Sequence, residues 1–503
     1  MRRRTFLKGS LAAVGVGIGA PALAQRPADS LVLFPICRRP VKVRRNIYEL
    51  LAEDANHPMI ANYRRAVEIM RGRPDSDPTS WIYQANIHGR PFGDTSSQPA
   101  GAPFNTCQHG TPYFLAWHRM YLYYFERIVR RACGNPDFAL PYWDWSADRR
   151  LPPPFRSATV SGGANALYEP SRSATINGGG QLPTSSIASA DDIAQMNYFS
   201  FQTGLEGTPH GAIHVSIGGI MSSVPTAARD PIFWLHHCNI DRLWEVWLYT
   251  HPDHHNPEAD ATWMNHIFTF ADENGTLVSM KGADILDTQA QLKYVYEHTC
   301  RPVISFFPRP ILVADARAKQ FLASHVIAKD VKLPAGAERI RLVHRDDPAK
   351  AALVKALGPD EFAKLRAQGS RVLLIFQDVA SKAALDGYFE VYLALPEGAK
   401  ASSESLAYAG NLVTFGADEA SRRAAGKAHV GHGGDGIRVE LDITDALSRL
   451  PDRDQALAAG LSLTLVPVGA EAQGDKPFRF GADKDVAIGS ITLSIVTLPK
   501  PLR

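Results

Sequence analysis

Two helical segments of this chain each carry a histidine that follows an aromatic residue by one turn. His118 follows Phe114 in the first segment, and His237 follows Phe233 in the second. Residues four apart share a helix face, so each aromatic ring can help to fix the orientation of its histidine. A metal-bound imidazole needs this kind of support for the ring nitrogen that does not bind the metal. The two segments therefore favour a helical fold built around a metal site.

Further histidines lie close to these segments. His109 comes just before the first one, and His210 and His214 are spaced by one helical turn, which places both rings on one face. Each histidine taken alone is compatible with an ordinary surface or core position, but their combination within one half of the chain favours metal binding. All-imidazole ligation indicates copper or zinc rather than magnesium, calcium or an iron–sulfur cluster. A di-iron bundle would need inward glutamates and a Glu-x-x-His motif.

The predicted secondary structure changes after residue 300. The first part is α-rich, with helices predicted at 46–73, 80–88, 113–132, 208–215 and 230–249 and a long loop at 150–185. The later part has an alanine-rich helix predicted at 348–369 and strands predicted at 371–376, 388–393, 411–415, 437–441, 461–466 and 488–496, which indicate a β-sandwich-like domain. We therefore assign 1–24 to a signal peptide, 25–300 to a catalytic domain, 301–345 to a linker and 346–503 to a β-rich domain.

Two stretches carry a resemblance to a known family. The segment from His109 to Glu126 resembles the first copper signature of the tyrosinase and polyphenol oxidase family, and the segment from Asp230 to Trp244 resembles the second. The similarity continues at 206–214 and 294–296, and more loosely at 388–393 and 408–411. The resemblance implies a four-helix bundle that holds a type-3 centre of two copper ions, followed by a C-terminal β-domain that shields the copper pocket.

The resemblance also implies the ligands. One copper would take His88, His109 and His118, and the other would take His210, His214 and His237. His88 is chosen only by its place before the first signature, and His236 is expected to point elsewhere. The spacing of Cys107 and His109 is one at which some family members join the sulfur covalently to the imidazole. The residues expected around the ligands are Phe114, Phe233, Asp241, Gly211 and Val215.

Such a centre implies oxidation of o-diphenols (catechols) to o-quinones, with dioxygen as co-substrate. Monophenol hydroxylation needs an additional proton acceptor, for which family members hold a water between a glutamate and often an asparagine. Glu206 matches the glutamate, but Gly211 stands at the asparagine position. A water held by only one group is a weaker base. We therefore expect oxidation of o-diphenols, with at most weak hydroxylation of monophenols. Val215 would give the pocket mouth an apolar wall.

The N-terminus predicts export. Arg3 and Arg4 precede Phe-Leu-Lys, a short apolar run and a small-residue cleavage site ending at Ala24, which resembles a twin-arginine signal. The formal net charge is +3, and four basic residues among the first 24 account for it, so the remainder is nearly neutral. This charge argues against nucleic acid as a partner, and no stretch is long enough to span a membrane. The expected partners are a small phenol and a copper-delivery protein; the sequence leaves the oligomeric state and the pairing of the five cysteines open.

Several alternatives remain open at this stage. The function could be that of a tyrosinase or an o-aminophenol oxidase, a hemocyanin-like dioxygen carrier, or a zinc-binding structural protein. Two further histidine groups resemble metal clusters, one at 251–255 and one at 429–432, but the first follows a helix end and the second lies among glycines. Neither group has a defined supporting structure, so both are interpreted as solvated loops.

Overall fold

The computed structural model describes residues 41–187, 197–297, 299, 320–342, 354–426, 436–470 and 478–497. The predicted signal peptide, Cys37 and Cys300, the segment 301–319 and the histidines at 429–432 lie outside these residues. The helices of the first part are α1 Ile47–Glu53, α2 Pro58–Arg71, α3 Trp81–His88, α4 Phe114–Cys133, α5 Ala174–Asn177, α6 Tyr198–Leu205, α7 Ala212–Ile217, α8 Val224–Ala227, α9 Pro231–Thr250 and α10 Ala261–Asn265.

The two long helices, α4 and α9, have clear end signals. The side chain of Asp230 accepts a hydrogen bond from the backbone N–H of Ile232, and Pro231 occupies the first turn of α9, where no amide proton is needed. Helix α4 ends at Gly134, which adopts a left-handed conformation with φ of 71°. These ends agree with the predicted segments and confirm the helical core. Helices α3, α4, α7 and α9 carry four of the six candidate histidines, while His109 lies before α4 and His210 lies in the turn before α7.

The predicted N-terminal helix at 46–73 is two helices, α1 and α2. Helix α1 ends at Asp54, and His57 caps the start of α2 at Pro58. Two small strand pairs flank the helical core: β1 Lys42–Arg44 runs parallel to β6 Tyr294–Tyr296, and β4 Ile267–Ala271 runs antiparallel to β5 Leu277–Lys281. A third, β2 Thr159–Val160 with β3 Gly163–Ala164, lies in the predicted loop at 150–185.

The C-terminal part is a sandwich of two four-stranded antiparallel sheets. One sheet has the order β11 Tyr408–Leu412, β10 Gly387–Leu393, β13 Leu463–Gly469 and β8 Ile340–Leu342. The other has the order β12 Ile437–Asp442, β9 Ser370–Ser381, β14 Val486–Thr497 and β7 Gln320–Leu333. Side chains of both sheets, such as Val391 and Leu465 from the first and Phe376 and Leu493 from the second, share one buried core. The helices are α11 Pro359–Ala367, α12 Ala417–Gly426, α13 Thr444–Arg449 and α14 Arg453–Ala458.

The sandwich begins earlier in the chain than the sequence predicts. The predicted linker at 301–345 contains β7 and β8, which pair with β14 and β13. Strand β7 is an edge strand whose first five residues are exposed, so its sequence lacks the alternation expected of a half-buried strand. Five of the six predicted strands correspond to β9, β10, β12, β13 and β14, whereas the strand predicted at 411–415 shares only 411–412 with β11. The predicted helix at 348–369 corresponds to α11 within the described residues.

The two parts of the chain are in direct contact. Ser185 of the helical part bonds to the hydroxyl of Tyr388 at 2.6 Å, and its backbone oxygen accepts a hydrogen bond from Asn411 at 2.6 Å. Ser223 donates to the carboxylate of Asp418 at 2.8 Å. These bonds fix one edge of the sandwich, and the segment 413–418 that follows β11, against the face of the helical core that carries α7 and α8.

Candidate metal centre

Six histidine side chains meet in the middle of the helical core. The ring centroids of His88, His109 and His118 lie 5.3 to 5.6 Å from one another. Those of His210, His214 and His237 lie 4.6 to 5.4 Å apart. The two triads touch, since the rings of His118 and His237 stack at 4.4 Å. The structure therefore brings together all six candidate ligands.

Backbone carbonyl groups orient four of these rings. Nδ1 of His118 donates to the carbonyl of Phe114 at 2.8 Å, and Nδ1 of His210 donates to that of Glu206 at 3.0 Å, in each case one turn earlier. Nδ1 of His214 donates to Met221 at 2.9 Å. With Nδ1 occupied, the Nε2 atom of each ring is the one left for a metal.

His88 is held in the same way by a more distant group. Its Nδ1 donates to the carbonyl of Val224, 2.9 Å away. The position of that carbonyl depends on Gly89, because a Cβ atom there would lie 2.6 Å from Cα of Pro225 and 2.9 Å from the Val224 oxygen. Gly207, by contrast, has open space around it. The close packing at Gly89 gives His88 the support that its sequence context did not reveal.

The donor set fits a metal centre. Nε2 of His88, His118 and His210 is buried and has no hydrogen-bond partner among the described residues. The Nε2 atoms of His214 and His237 face each other at 3.2 Å. Burial lowers the pKa of both His88 and His210 to about 3, so their rings are neutral and their lone pairs can bind a metal. Unpartnered buried nitrogens of this kind are costly unless an ion satisfies them.

His236 departs from the expectation that it points elsewhere. Its ring lies 4.8 Å from that of His214 and 5.6 Å from that of His210, and its donor atoms group with those of His210, His214 and His237. Both of its ring nitrogens are buried without a partner among the described residues. Adjacent helix residues project about 100° apart, which suggested divergence, but the His210–His214 turn wraps around this end of α9 and reaches both rings.

Aromatic residues pack on the histidines as the one-turn spacing predicts. The ring of Phe233 lies 4.1 Å from that of His237 and 4.9 Å from that of His88. Phe114 lies 4.8 Å from His118 and 4.7 Å from His210. Each phenylalanine thus contacts histidines of both triads and limits their rotation.

Asp241, one turn after His237, bonds to residues of other elements and not to that histidine. It accepts hydrogen bonds from Arg119 at 2.6 Å, Tyr294 at 2.6 Å and Tyr296 at 2.7 Å, whereas Nδ1 of His237 has no partner among the described residues. Burial opposes the charge on Asp241, but the neighbouring arginines outweigh it and hold the pKa of the carboxyl below its ordinary value. Asp241 therefore joins α4, α9 and β6 behind the site.

Glu206 lies at the start of the turn that carries His210. Its carboxylate accepts a hydrogen bond from the backbone N–H of Gly110 at 2.6 Å. Desolvation raises its pKa to about 8, against the opposing effect of that bond. In the neighbouring loop, Sγ of Cys107 lies 3.5 Å from Nδ1 of His109, so the sulfur reaches the imidazole as the spacing suggests.

A phenylalanine of the C-terminal part reaches the same histidines. The ring of Phe415 stacks on His214 at 4.3 Å and 22°, and lies 5.6 Å from His109 and 5.5 Å from His210. Val215 is fully buried in a small apolar cluster with Val413, so it forms a wall against the C-terminal part. No local signal in the sequence marks Phe415, because its contacts join segments about 200 residues apart.

In the histidine group at 251–255, one ring is held by the preceding helix. Nδ1 of His254 donates to the carbonyl of Trp247, and its ring stacks on that of Trp247 at 4.4 Å. Among the described residues, the histidines and cysteines whose ligand atoms lie close enough together to hold a metal ion are those of the central site.

The helical core and its paired histidine triads define a protein with a dinuclear metal centre. Comparison with known proteins identifies the class. The common central domain of tyrosinase matches residues 78–188 and 173–250, the polyphenol oxidase middle domain matches 258–306, and a domain of unknown function matches 325–493.

Relatives match over most of the chain. A tyrosinase of Hahella sp. is 30% identical over 90% of this chain and 99% of its own length. The latent form of a chloroplastic polyphenol oxidase of Prunus armeniaca is 25% identical over 83% of this chain and 72% of its own. Among solved structures, latent apple tyrosinase shares the fold with a TM-score of 0.57 at 22% identity, covering 92% of this chain and 99% of that one.

The chain belongs to the tyrosinase and polyphenol oxidase family. It is accordingly a dicopper oxidoreductase that acts on phenols. The predicted family, fold class, cofactor and enzyme class are confirmed.

Proposed function

We propose that this enzyme oxidises o-diphenols to o-quinones and hydroxylates monophenols only weakly. The observation that carries the proposal is the convergence of six imidazoles in two triads. His88, His109 and His118 would hold one copper, and His210, His214 and His237 would hold the other. When bound, the copper pair supplies two-electron redox chemistry with dioxygen.

The protein's own contribution is to orient ligands and to exclude water. Carbonyl groups fix the Nδ1 atoms of His88, His118, His210 and His214, so these rings present Nε2 without a change of tautomer. Phe114 and Phe233 pack between the triads and keep the rings from turning. Such preorganisation would keep the ligand nitrogens in place when copper is bound.

The preference for catechols is supported by position 211. A catechol gives up its protons readily, whereas a monophenol needs a base in the pocket. The Glu206 carboxylate is present there, held by the Gly110 amide, but Gly211 offers no side-chain amide to share a water with it. A water held by the carboxylate alone is positioned less firmly, which lowers the rate of phenol deprotonation.

The competing function is that of a full tyrosinase. It is favoured by one observation, the name of the Hahella relative, which is 30% identical. The test is oxygen uptake by the copper-loaded protein with catechol, o-aminophenol and tyrosine. We expect catechol to be turned over at least tenfold faster than tyrosine, and Glu206→Gln to slow tyrosine more than catechol.

Each other outcome identifies a different function. Equal rates on tyrosine and catechol would establish the tyrosinase. A preference for o-aminophenol would assign the enzyme to that substrate class. Reversible dioxygen binding without turnover of any phenol would indicate an oxygen carrier, and zinc in place of copper after purification would contradict the oxidase.

We also propose that the C-terminal sandwich shields the copper pocket. Phe415 stacks directly on the His214 ring. The surrounding segment is anchored by two hydrogen bonds, one that Asn411 donates to the Ser185 carbonyl and one that Ser223 donates to Asp418. The unit that the sequence placed at 346–503 would therefore keep the enzyme latent until it is displaced. Deleting the residues beyond about 310 should raise catechol turnover, provided that the shortened chain folds and binds copper.

Export is the third proposal. The twin-arginine pattern of Arg3 and Arg4 supports it, and among the described residues no helix is both long enough and apolar enough to cross a membrane. Replacing both arginines by lysine should retain the precursor inside the cell, as judged by fractionation. A protein that is still exported at the wild-type level would contradict this route.

A further inference from the structure

The absent side chain of Gly211 leaves a space that the C-terminal part fills. A Cβ atom on Gly211 would lie 2.9 Å from Cγ1 of Val413 and 3.4 Å from Cβ of Phe415. It would also lie 3.3 Å from the backbone oxygen of Glu206. A carbon–carbon separation of 2.9 Å is well inside the optimum of about 3.5–4.0 Å, so any side chain at 211 requires Val413 to move.

Val413 has little freedom to move. It is 4% exposed and packs in the apolar cluster with Ala212, Val215 and Tyr388. Asn411, two residues earlier, donates to the Ser185 carbonyl at 2.6 Å, which anchors the chain on one side.

The other side of the segment is anchored as well. Asp418 accepts a hydrogen bond from Ser223 at 2.8 Å and is 2% exposed. Gly416, with φ of 88°, turns the chain between Phe415 and this anchor, and a Cβ atom on it would lie 3.5 Å from Val224. Because Asn411 and Asp418 bond the chain to the helical part on either side of Val413, a clash at Val413 cannot be relieved by sliding.

We propose that Gly211 is the position that allows the C-terminal part to close over the copper pocket. Because it has no side chain, Val413 and Phe415 can pack over the His210–His214 turn. This inference rests on the proposed function and deepens it. A side-chain amide at position 211 would assist monophenol deprotonation. The segment 413–418, however, can pack against this turn only if position 211 has no side chain. A closed shield and an amide at position 211 therefore exclude each other, and the same glycine sets both the catechol preference and the latency.

The test uses the full-length chain. Gly211→Ala should raise the basal catechol turnover of the copper-loaded protein about tenfold, equivalent to about 1.4 kcal/mol; overpacking by one carbon typically costs an amount of this order. Hydrogen exchange of the amides at 412–416 should quicken to the same degree, in the copper-free protein as well as the loaded one. Gly207→Ala is the matched control, since a Cβ atom there meets open space, and it should change neither measurement.

A compensating variant separates the contact from a general disturbance. Val413→Ala in the Gly211→Ala background removes the Cγ1 atom that the new methyl would meet, so exchange and basal turnover should return towards the wild-type values. Val413→Leu enlarges the same contact from the other side. It should open the shield even if Gly211→Ala does not fold.

Gly211→Asn tests the exclusion directly. It should raise basal turnover and also the ratio of tyrosine to catechol rates. An asparagine variant that gains tyrosine activity while the amides at 412–416 keep their protection would overturn the exclusion.

The coupling itself can fail independently of the proposed reaction. Unchanged exchange in both Gly211→Ala and Val413→Leu would refute it, whatever the enzyme oxidises. If those variants lose protection but no form of the protein turns over catechol, the proposed oxidation is contradicted. The proposed role of Gly211 in the closure of the C-terminal part would still hold.

Discussion

Truncating Phe415 should convert the enzyme into a constitutively open form. Phe415→Ala removes a ring that stacks on His214 and makes edge contacts with His109 and His210. Burying a phenylalanine side chain stabilises by about 1.5–3 kcal/mol, and an aromatic pair adds about 0.5–1.5 kcal/mol. Because Phe415 is only partly buried, we take about 2 kcal/mol as the stabilisation that the closed state loses. At 1.36 kcal/mol per factor of ten, this corresponds to about a 30-fold shift towards the open state.

The assay is basal oxygen uptake with catechol, measured on the full-length, copper-loaded protein. When the competent state is a minor one, the apparent rate scales with its population, so turnover should rise by about the same 30-fold. Copper must be determined in each preparation, because a gain in loading would mimic a gain in opening. Phe321→Ala is the matched control: it truncates another phenylalanine of the same sandwich, one that is 48% exposed and lies on the edge strand.

If Phe415→Ala binds the same amount of copper as the wild type and its basal turnover rises less than about threefold, the ring does not limit access. The Phe321 variant rising equally would point to general loosening of the sandwich instead of a plug.

Three further predictions test the ligands, the pH response and the sulfur. Gly89→Ala should lower the copper content and the activity, because the new Cβ atom displaces the Val224 carbonyl that holds His88. Gly207→Ala, which has open space around it, should leave both unchanged. Equal copper content in the two variants would contradict this prediction. Burial, with a neighbouring carboxyl, raises the pKa of Glu297 from 4.5 to about 7, so the folded chain binds a proton that the unfolded chain releases between those values. The free energy of unfolding should therefore fall as the pH rises through this window, and Glu297→Gln should remove that part of the slope in denaturant titrations. If Cys107 forms a thioether with the His109 imidazole, each residue loses one hydrogen and dioxygen accepts the two electrons. The polypeptide of the copper-loaded protein should then weigh two hydrogens less than that of the copper-free protein. An unchanged intact mass would exclude the bond.

The parts of the site that were predictable from the sequence are those built from local contacts. His118 and His210 are each oriented by a carbonyl four residues earlier, which is the one-turn relation that the sequence displays. The aromatic partners at the same spacing are also where they were expected. Helix ends such as Asp230–Pro231 and Gly134 follow from the same short-range chemistry.

The parts that sequence reasoning missed depend on contacts between distant segments. His88 is held by Val224, which is 136 residues later. His236 lies against the second triad, because the His210 turn packs against its helix. Asp241 bonds to arginine and tyrosine side chains of other elements and not to His237. Periodicity reports which face a residue lies on, but not which partner another element brings to that face.

The position of Phe415 against the histidines could not be predicted from the sequence for the same reason, but the sequence did mark position 211, which it covers. Gly211 stood out as a departure from the family pattern, and the only consequence then visible was a weaker base for monophenols. The structure shows that the missing side chain has a second consequence, since Val413 occupies the volume that it would fill. A missing side chain in a site is thus informative in two ways: it removes a chemical group, and it creates space that another part of the chain can occupy. In a latent enzyme the second effect has to be examined before a change at such a position is attributed to the first.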